Sequence, residues 1–179
     1  MRIHVSQNQK EVLKDLLIAG GVLAFVAIAP VAVPILKPLL KTKSPKRKTI
    51  NYRRLLASLE RQGFIQIEQD TITLTQHGSG FTQILTAVDT YVPPNKWDNK
   101  WRIVCFDMPE DYAQARRFLR DNLTKIGFFH LQKSVYVYPY NCLDIVQRVV
   151  DHFAIGRFVS FGTLESLENS SQLKLHFDL

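Results

Sequence analysis

Four hydrophobic rhythms succeed one another along the 179 residues. The first is an unbroken apolar run. No charged residue falls between Leu16 and Leu36, which is long enough for a membrane span of about 20 residues. Gly20-Gly21, Pro30 and Pro34 interrupt it, and an interior proline costs a helix roughly 3 kcal/mol. The pattern therefore predicts two buried helices, Gln9 to Ala29 and Pro34 to Leu40, the second opened by proline at its first position. A membrane anchor through Leu16–Leu36 is the alternative, since Lys37 and Lys41 suit a cytoplasmic flank. A cleaved signal peptide fits less well, because no small-residue cleavage site in a polar context follows.

The second rhythm is helical. After the hydrophilic loop KTKSPKRK (Lys41–Lys48), Tyr52, Leu55, Leu56 and Leu59 recur at helical spacing, with Thr49 placed as N-cap and Gly63 as left-handed C-cap. Asn51, Arg54, Ser58 and Arg61 line the opposite, polar face. The third rhythm alternates: Ile65/Ile67 and Ile72/Leu74 flank Glu68-Gln69-Asp70 and predict a β-hairpin. A connecting helix follows at Gly80–Tyr91, carrying Phe81, Ile84, Leu85 and Val88. Val92-Pro93-Pro94-Asn95-Lys96 then makes a stiff break.

The fourth rhythm mixes strand and helix. Trp101–Asp107 reads as a buried strand, and Glu110 or Asp111 can cap the helix that runs to Ile126. Ala115, Phe118, Leu119, Leu123 and Ile126 form its inner side, and Gly127 ends it. Phe128–Pro139 supplies one long strand or two short ones joined near Lys133-Ser134. A helix at Leu143–Phe153 and strand-like segments at Arg157–Leu164 and Leu173–Phe177 complete the chain. The predicted class is α+β: a winged helix-turn-helix over 1–78, a connecting helix and linker over 79–98, and a ferredoxin-like βαββαβ domain over 99–179.

Charge adds a direction. The net charge is +7, but residues 1–63 hold twelve Lys/Arg against three Asp/Glu and the remainder holds eleven against thirteen. That asymmetry is the footprint of a polyanion-binding module joined to a neutral partner. A helix of this width fits the major groove. Asn51 and Arg54 are the candidates for base edges. Arg53 and the Lys46-Arg47-Lys48 run are placed on phosphates, and Ser58 and Arg61 complete the face. Cys105 and Cys142 show no metal-ligand or disulfide spacing, so both are small apolar fillers in a reducing cytoplasm.

Two segments, WDNKWRIVCFDMPE and GFFHLQKSVYVYP, resemble the PaaX-like transcriptional repressors, regulators of phenylacetate degradation. The turn Asp107-Met108-Pro109-Glu110 and the run Leu131-Gln132-Lys133-Ser134-Val135 carry the likeness, which covers roughly residues 45 to 165. In that family a winged helix precedes a domain similar to the CRISPR-associated spacer-acquisition nuclease of the Cas-two type. The resemblance implies a dimeric, double-stranded-DNA-binding regulator of the bacterial cytoplasm. The usual members carry a further C-terminal domain, and the expectation here is a chain without it. No effector ligand follows from the residues.

The resemblance also places Asp107 where the CRISPR nucleases hold a metal, one aspartate from each subunit. Magnesium needs one or two carboxylates with phosphate and water oxygens, so a metal-dependent endonuclease is a second reading. No histidine lies near Asp107 in sequence to act as base, since His77, His130 and His152 are scattered. The favoured role for Asp107 is structural, capping the Pro109 turn through backbone N–H groups. The expectation is therefore a non-enzymatic homodimeric repressor needing no cofactor, with half-sites about 34–36 Å apart or multiples of that.

Overall fold

The structure is a computed structural model that describes residues 5–23, 31–32, 52–68, 71–168 and 170–179. The chain divides into two compact units, residues 1–85 and 86–179. In the first, α1 (Gln7–Leu23) is followed by strand β1 (Val31–Ala32), helix α2 (Tyr52–Arg61), strands β2 (Ile65–Glu68) and β3 (Thr71–Leu74), and the start of α3 (Gln76–Thr90). The three strands form an antiparallel sheet in the order β1-β3-β2.

Local chemistry explains these boundaries. Ser6 and Gln9 make a reciprocal capping box at the start of α1: the Ser6 N–H donates to Gln9 Oε1 (2.7 Å) and the Gln9 N–H to Ser6 Oγ (3.4 Å). Helix α2 buries Leu55 and Leu59 and ends at Gly63, whose φ of +74° is the left-handed value that glycine adopts without strain. The expected hairpin forms, and its register sets Ile65 opposite Leu74 and Ile67 opposite Ile72. Thr75 joins hairpin to helix. Its hydroxyl accepts from the Gly78 N–H at 2.9 Å and donates to the Gly63 carbonyl at 2.5 Å.

The apolar run Leu16–Leu36 departs from expectation. The first helix is described as far as Leu23, its expected continuation to Ala29 lies outside the described residues, and Val31–Ala32 is a strand paired with Ile72 and Thr71. No helix among the described residues is long and apolar enough to cross a membrane. The expected helix at Pro34–Leu40 and the Thr49 cap lie outside the described residues.

The second unit is a ferredoxin-like α+β sandwich. Its order is β4 (Trp101–Phe106), a 3₁₀ turn (Glu110–Tyr112), α4 (Ala113–Ile126), β5 (Phe129–Gln132), β6 (Val135–Tyr138), α5 (Leu143–His152), β7 (Val159–Leu164) and α6 (Ser171–Phe177). The sheet order is β5-β6-β4-β7, antiparallel throughout, so the first and third strands lie at the centre. Gly127 ends α4 at φ +111°, and the Phe128 N–H returns to the Leu123 carbonyl at 2.9 Å. Period-two alternation puts Val104 and Phe106 on one face, where Arg120 of α4 lies 5.9 Å from the Phe106 ring. Trp101 and Val137 face the other side and pack with Leu173 of α6.

Leu173–Phe177, Arg157–Phe158 and the cap of α4 depart from expectation in this unit, Arg157–Phe158 lying in a 3₁₀ turn (Gly156–Phe158) ahead of β7. Leu173–Phe177 is helix, not strand, because Leu173 and Phe177, four residues apart, both pack beside Trp101. As a strand, Leu175 would share their side, yet it is 85% exposed. Neither Glu110 nor Asp111 caps α4. Tyr112 stands at the N-cap without a side-chain hydrogen bond, since both acids are taken into the preceding 3₁₀ turn.

Candidate nucleic-acid interface and the Asp107 cleft

Helix α2 presents two chemically opposite sides. Leu55, Leu59 and Gln62 are buried, while Arg53, Arg54, Ala57, Glu60 and Arg61 are exposed. Burial of the leucines orients the helix, and that orientation turns the arginines to water. The Arg61 Nε–H donates to the Ala57 carbonyl at 3.2 Å, which lays its guanidinium along the helix surface. Ser58 is half-buried, and its hydroxyl oxygen accepts from Gln62 Nε2 at 2.9 Å. Arg53, Arg54, Ser58 and Arg61 thus share one ten-residue helix. Lys46, Arg47, Lys48 and Asn51 lie outside the described residues.

Asp107 sits in the second unit, one residue past the end of β4. Its N–H donates to the Phe158 carbonyl at 3.0 Å, continuing the β4–β7 ladder. Its carboxylate accepts no hydrogen bond from the described residues and faces solvent, so it does not cap the Pro109 turn as expected. Arg116 holds that turn instead. Its Nη1 donates to the Met108 carbonyl and its Nη2 to Glu110, each at 2.8 Å.

Asp107 helps line a cleft of about 740 Å³, together with Cys105, Met108, Ser134, Val135, Arg157, Phe158 and Ser160. Helix α6 covers the Trp101 end of the sheet face and leaves the Cys105 end to this cleft. Arg157 is the basic residue of the lining. Its Nη2 donates to the Tyr112 hydroxyl at 2.8 Å, and its guanidinium lies 4.6 Å from the Phe158 ring centre. Sequence reading missed Arg157, because nothing in Gly156-Arg157-Phe158 marks it before the fold brings it beside Asp107.

The other reactive groups have structural surroundings. Cys142 is fully buried; burial, then the neighbouring Asp144 carboxylate, pushes its thiol up to about 12. Burial also raises the Cys105 thiol, so neither is a thiolate at neutral pH. His77 stacks on Phe64 at 4.8 Å, its pKa lowered by burial, and His130 stacks on Tyr136 at 4.7 Å. Neither His77, His130 nor His152 lines the Asp107 cleft. Among the described residues no group of three or more His, Cys, Asp or Glu gathers in metal-binding fashion.

The strand order and connections define the second unit as a ferredoxin-like domain carrying a carboxylate at the end of its first strand. Residues 94–175 match the family model described as the PaaX protein central Cas2-like domain, so this part of the chain is similar to that domain. No curated protein gives a significant match to the chain.

Proposed function

We propose that the chain is a homodimeric, sequence-specific DNA-binding transcriptional regulator acting as a repressor in the cytoplasm. In this reading, unit 1 is a winged helix-turn-helix and α2 enters the major groove. The observation that carries it is the exposed arginine side of α2, set directly before a hairpin in a β1-β3-β2 sheet. A winged helix needs that arrangement: one helix for the groove, and a β-hairpin beside it for the flanking backbone. The PaaX-type domain is compatible with a regulator and is the module that would couple two copies. Base edges fall to Arg54 and Asn51. Phosphates fall to Arg53, Arg61 and the Lys46-Arg47-Lys48 run, with Ser58 beside them.

Fluorescence anisotropy on duplex DNA selected from fragmented genomic DNA by the chain itself tests this reading. Because the three arginines are exposed, the Arg53→Ala/Arg54→Ala/Arg61→Ala variant should fold normally. It should lose about tenfold or more in affinity, the scale of several lost phosphate or base contacts. A variant that binds like the parent chain refutes the placement on α2, and a parent chain that selects no duplex refutes the regulator.

The unpartnered Asp107 carboxylate favours a second reading, a metal-dependent endonuclease. Incubation with DNA and RNA in magnesium, beside Asp107→Ala, decides it: cleavage that vanishes in the variant establishes the enzyme, and no cleavage by the parent chain rejects it.

A further inference from the structure

The Asp107 cleft holds two opposite charges that do not meet. No ion pair joins Asp107 to Arg157 among the described residues, although both line the same cleft and the N–H of one strand end is bonded to the other's neighbour. The guanidinium is held in place without being neutralised: the Tyr112 hydroxyl takes one N–H, and the Phe158 ring lies against its plane. The carboxylate keeps its full acceptor capacity. The Ser134 and Ser160 side chains lie along the same cleft with no hydrogen bond to the described residues, beside half-buried Cys105, Val135 and Phe158. A cleft of about 740 Å³ falls in the range of small-molecule sites, which join an apolar floor to a few converging polar groups.

The geometry points to a binding site for a small zwitterion with an apolar side chain, that is, a free aliphatic or aromatic α-amino acid. An ammonium group donates to the Asp107 carboxylate, and a carboxylate accepts from the remaining Arg157 N–H groups. The side chain lies over Val135 and Phe158. Charge-assisted hydrogen bonds are the stronger kind, and a guanidinium already oriented by Tyr112 and Phe158 loses little side-chain entropy on binding. A ligand with a single charge would leave either Asp107 or Arg157 without a partner while displacing its water.

Isothermal titration calorimetry of the whole chain, without DNA, tests the site independently of the regulator reading. The probes are L-leucine, L-methionine and L-phenylalanine at millimolar concentrations. Beside them go two one-charge relatives of leucine, isoamylamine without the carboxylate and 4-methylpentanoate without the ammonium. At least one amino acid should bind with unit stoichiometry and both relatives should not. Asp107→Asn and Arg157→Gln should each weaken binding about tenfold or more, the scale of a lost charge-assisted bond. Both positions are exposed, and tryptophan-monitored unfolding verifies that the variants remain folded. Arg148→Gln, on α5 and outside the cleft, should bind like the parent. Silence from all three amino acids overturns the proposal, as does equal binding of a one-charge relative or unchanged affinity in both cleft variants.

Discussion

Replacing Asp98 by alanine should destabilise the second unit by about 2 kcal/mol. The target is Arg102, whose side chain is only 6% exposed. Its Nη1 donates to Asp98 Oδ1 at 2.6 Å and to the Lys100 and Pro139 carbonyls at 2.8 Å each, and its Nη2 to Asp98 Oδ2 at 2.5 Å. Asp98 is thus the counter-ion of a buried cation on the central strand β4. Removing one partner of a buried pair costs about 3–5 kcal/mol, because the other charge is left stranded. The Asp98 side chain is 48% exposed, so water can replace part of the lost contact, and the lower figure follows. The chain's two tryptophans, Trp97 and Trp101, both lie in this unit, so urea unfolding followed by tryptophan fluorescence reads it selectively. In an Arg102→Met background the same substitution should cost under about 0.5 kcal/mol, because no buried charge remains to be stranded. An Asp98→Ala chain within about 0.5 kcal/mol of the parent would refute the reasoning.

Three further outcomes follow from particular residues. The Arg102 guanidinium holds the Asp98 carboxyl down at about 2 against an ordinary 3.8. A lowered folded-state pKa gives stability that is complete above the unfolded value and lost as pH falls from about 4 towards 2; Asp98→Asn should flatten the acid limb of the unfolding curve in that window. Gly78→Ala should destabilise the hairpin–α3 junction by about 3 kcal/mol, since a Cβ there would lie 1.9 Å from the Phe64 carbonyl oxygen; faster amide exchange across β2 and β3 is the readout. Ala154 is exposed with φ of +50°, a conformation that costs an L-residue about 1–2 kcal/mol. Ala154→Gly should therefore raise stability by about 0.5–1 kcal/mol after the glycine entropy is subtracted, seen as a higher urea midpoint.

The periodic parts of this fold were legible in the residues, and the aperiodic parts were not. Helix α2, the hairpin, β4 and the Gly127 stop follow from spacing and capping chemistry that act within a few residues. Strand β1 was invisible because Val31-Ala32 lies in a continuous apolar run, where no polar positions mark the period that separates strand from helix. Helix α6 was misread because Leu173, Leu175 and Phe177 alternate as a strand would, and only contact with Trp101 decides between them. The arginines of α2 could be named from sequence, as could Asp107. Arg157 could not, because the cleft joins the end of β4, the β5–β6 turn and the start of β7, segments more than twenty residues apart. The role expected for Asp107 failed for a related reason: the group that stabilises its turn, Arg116, sits on the following helix.

The central claim, that the basic first unit grips duplex phosphates in a two-fold complex, is tested most directly by the salt dependence of DNA affinity. With about three phosphates neutralised per protomer, the logarithm of the binding constant should fall against the logarithm of salt concentration with a slope near −5. A flat response, from a chain that sediments as a monomer in the same buffers, would contradict it.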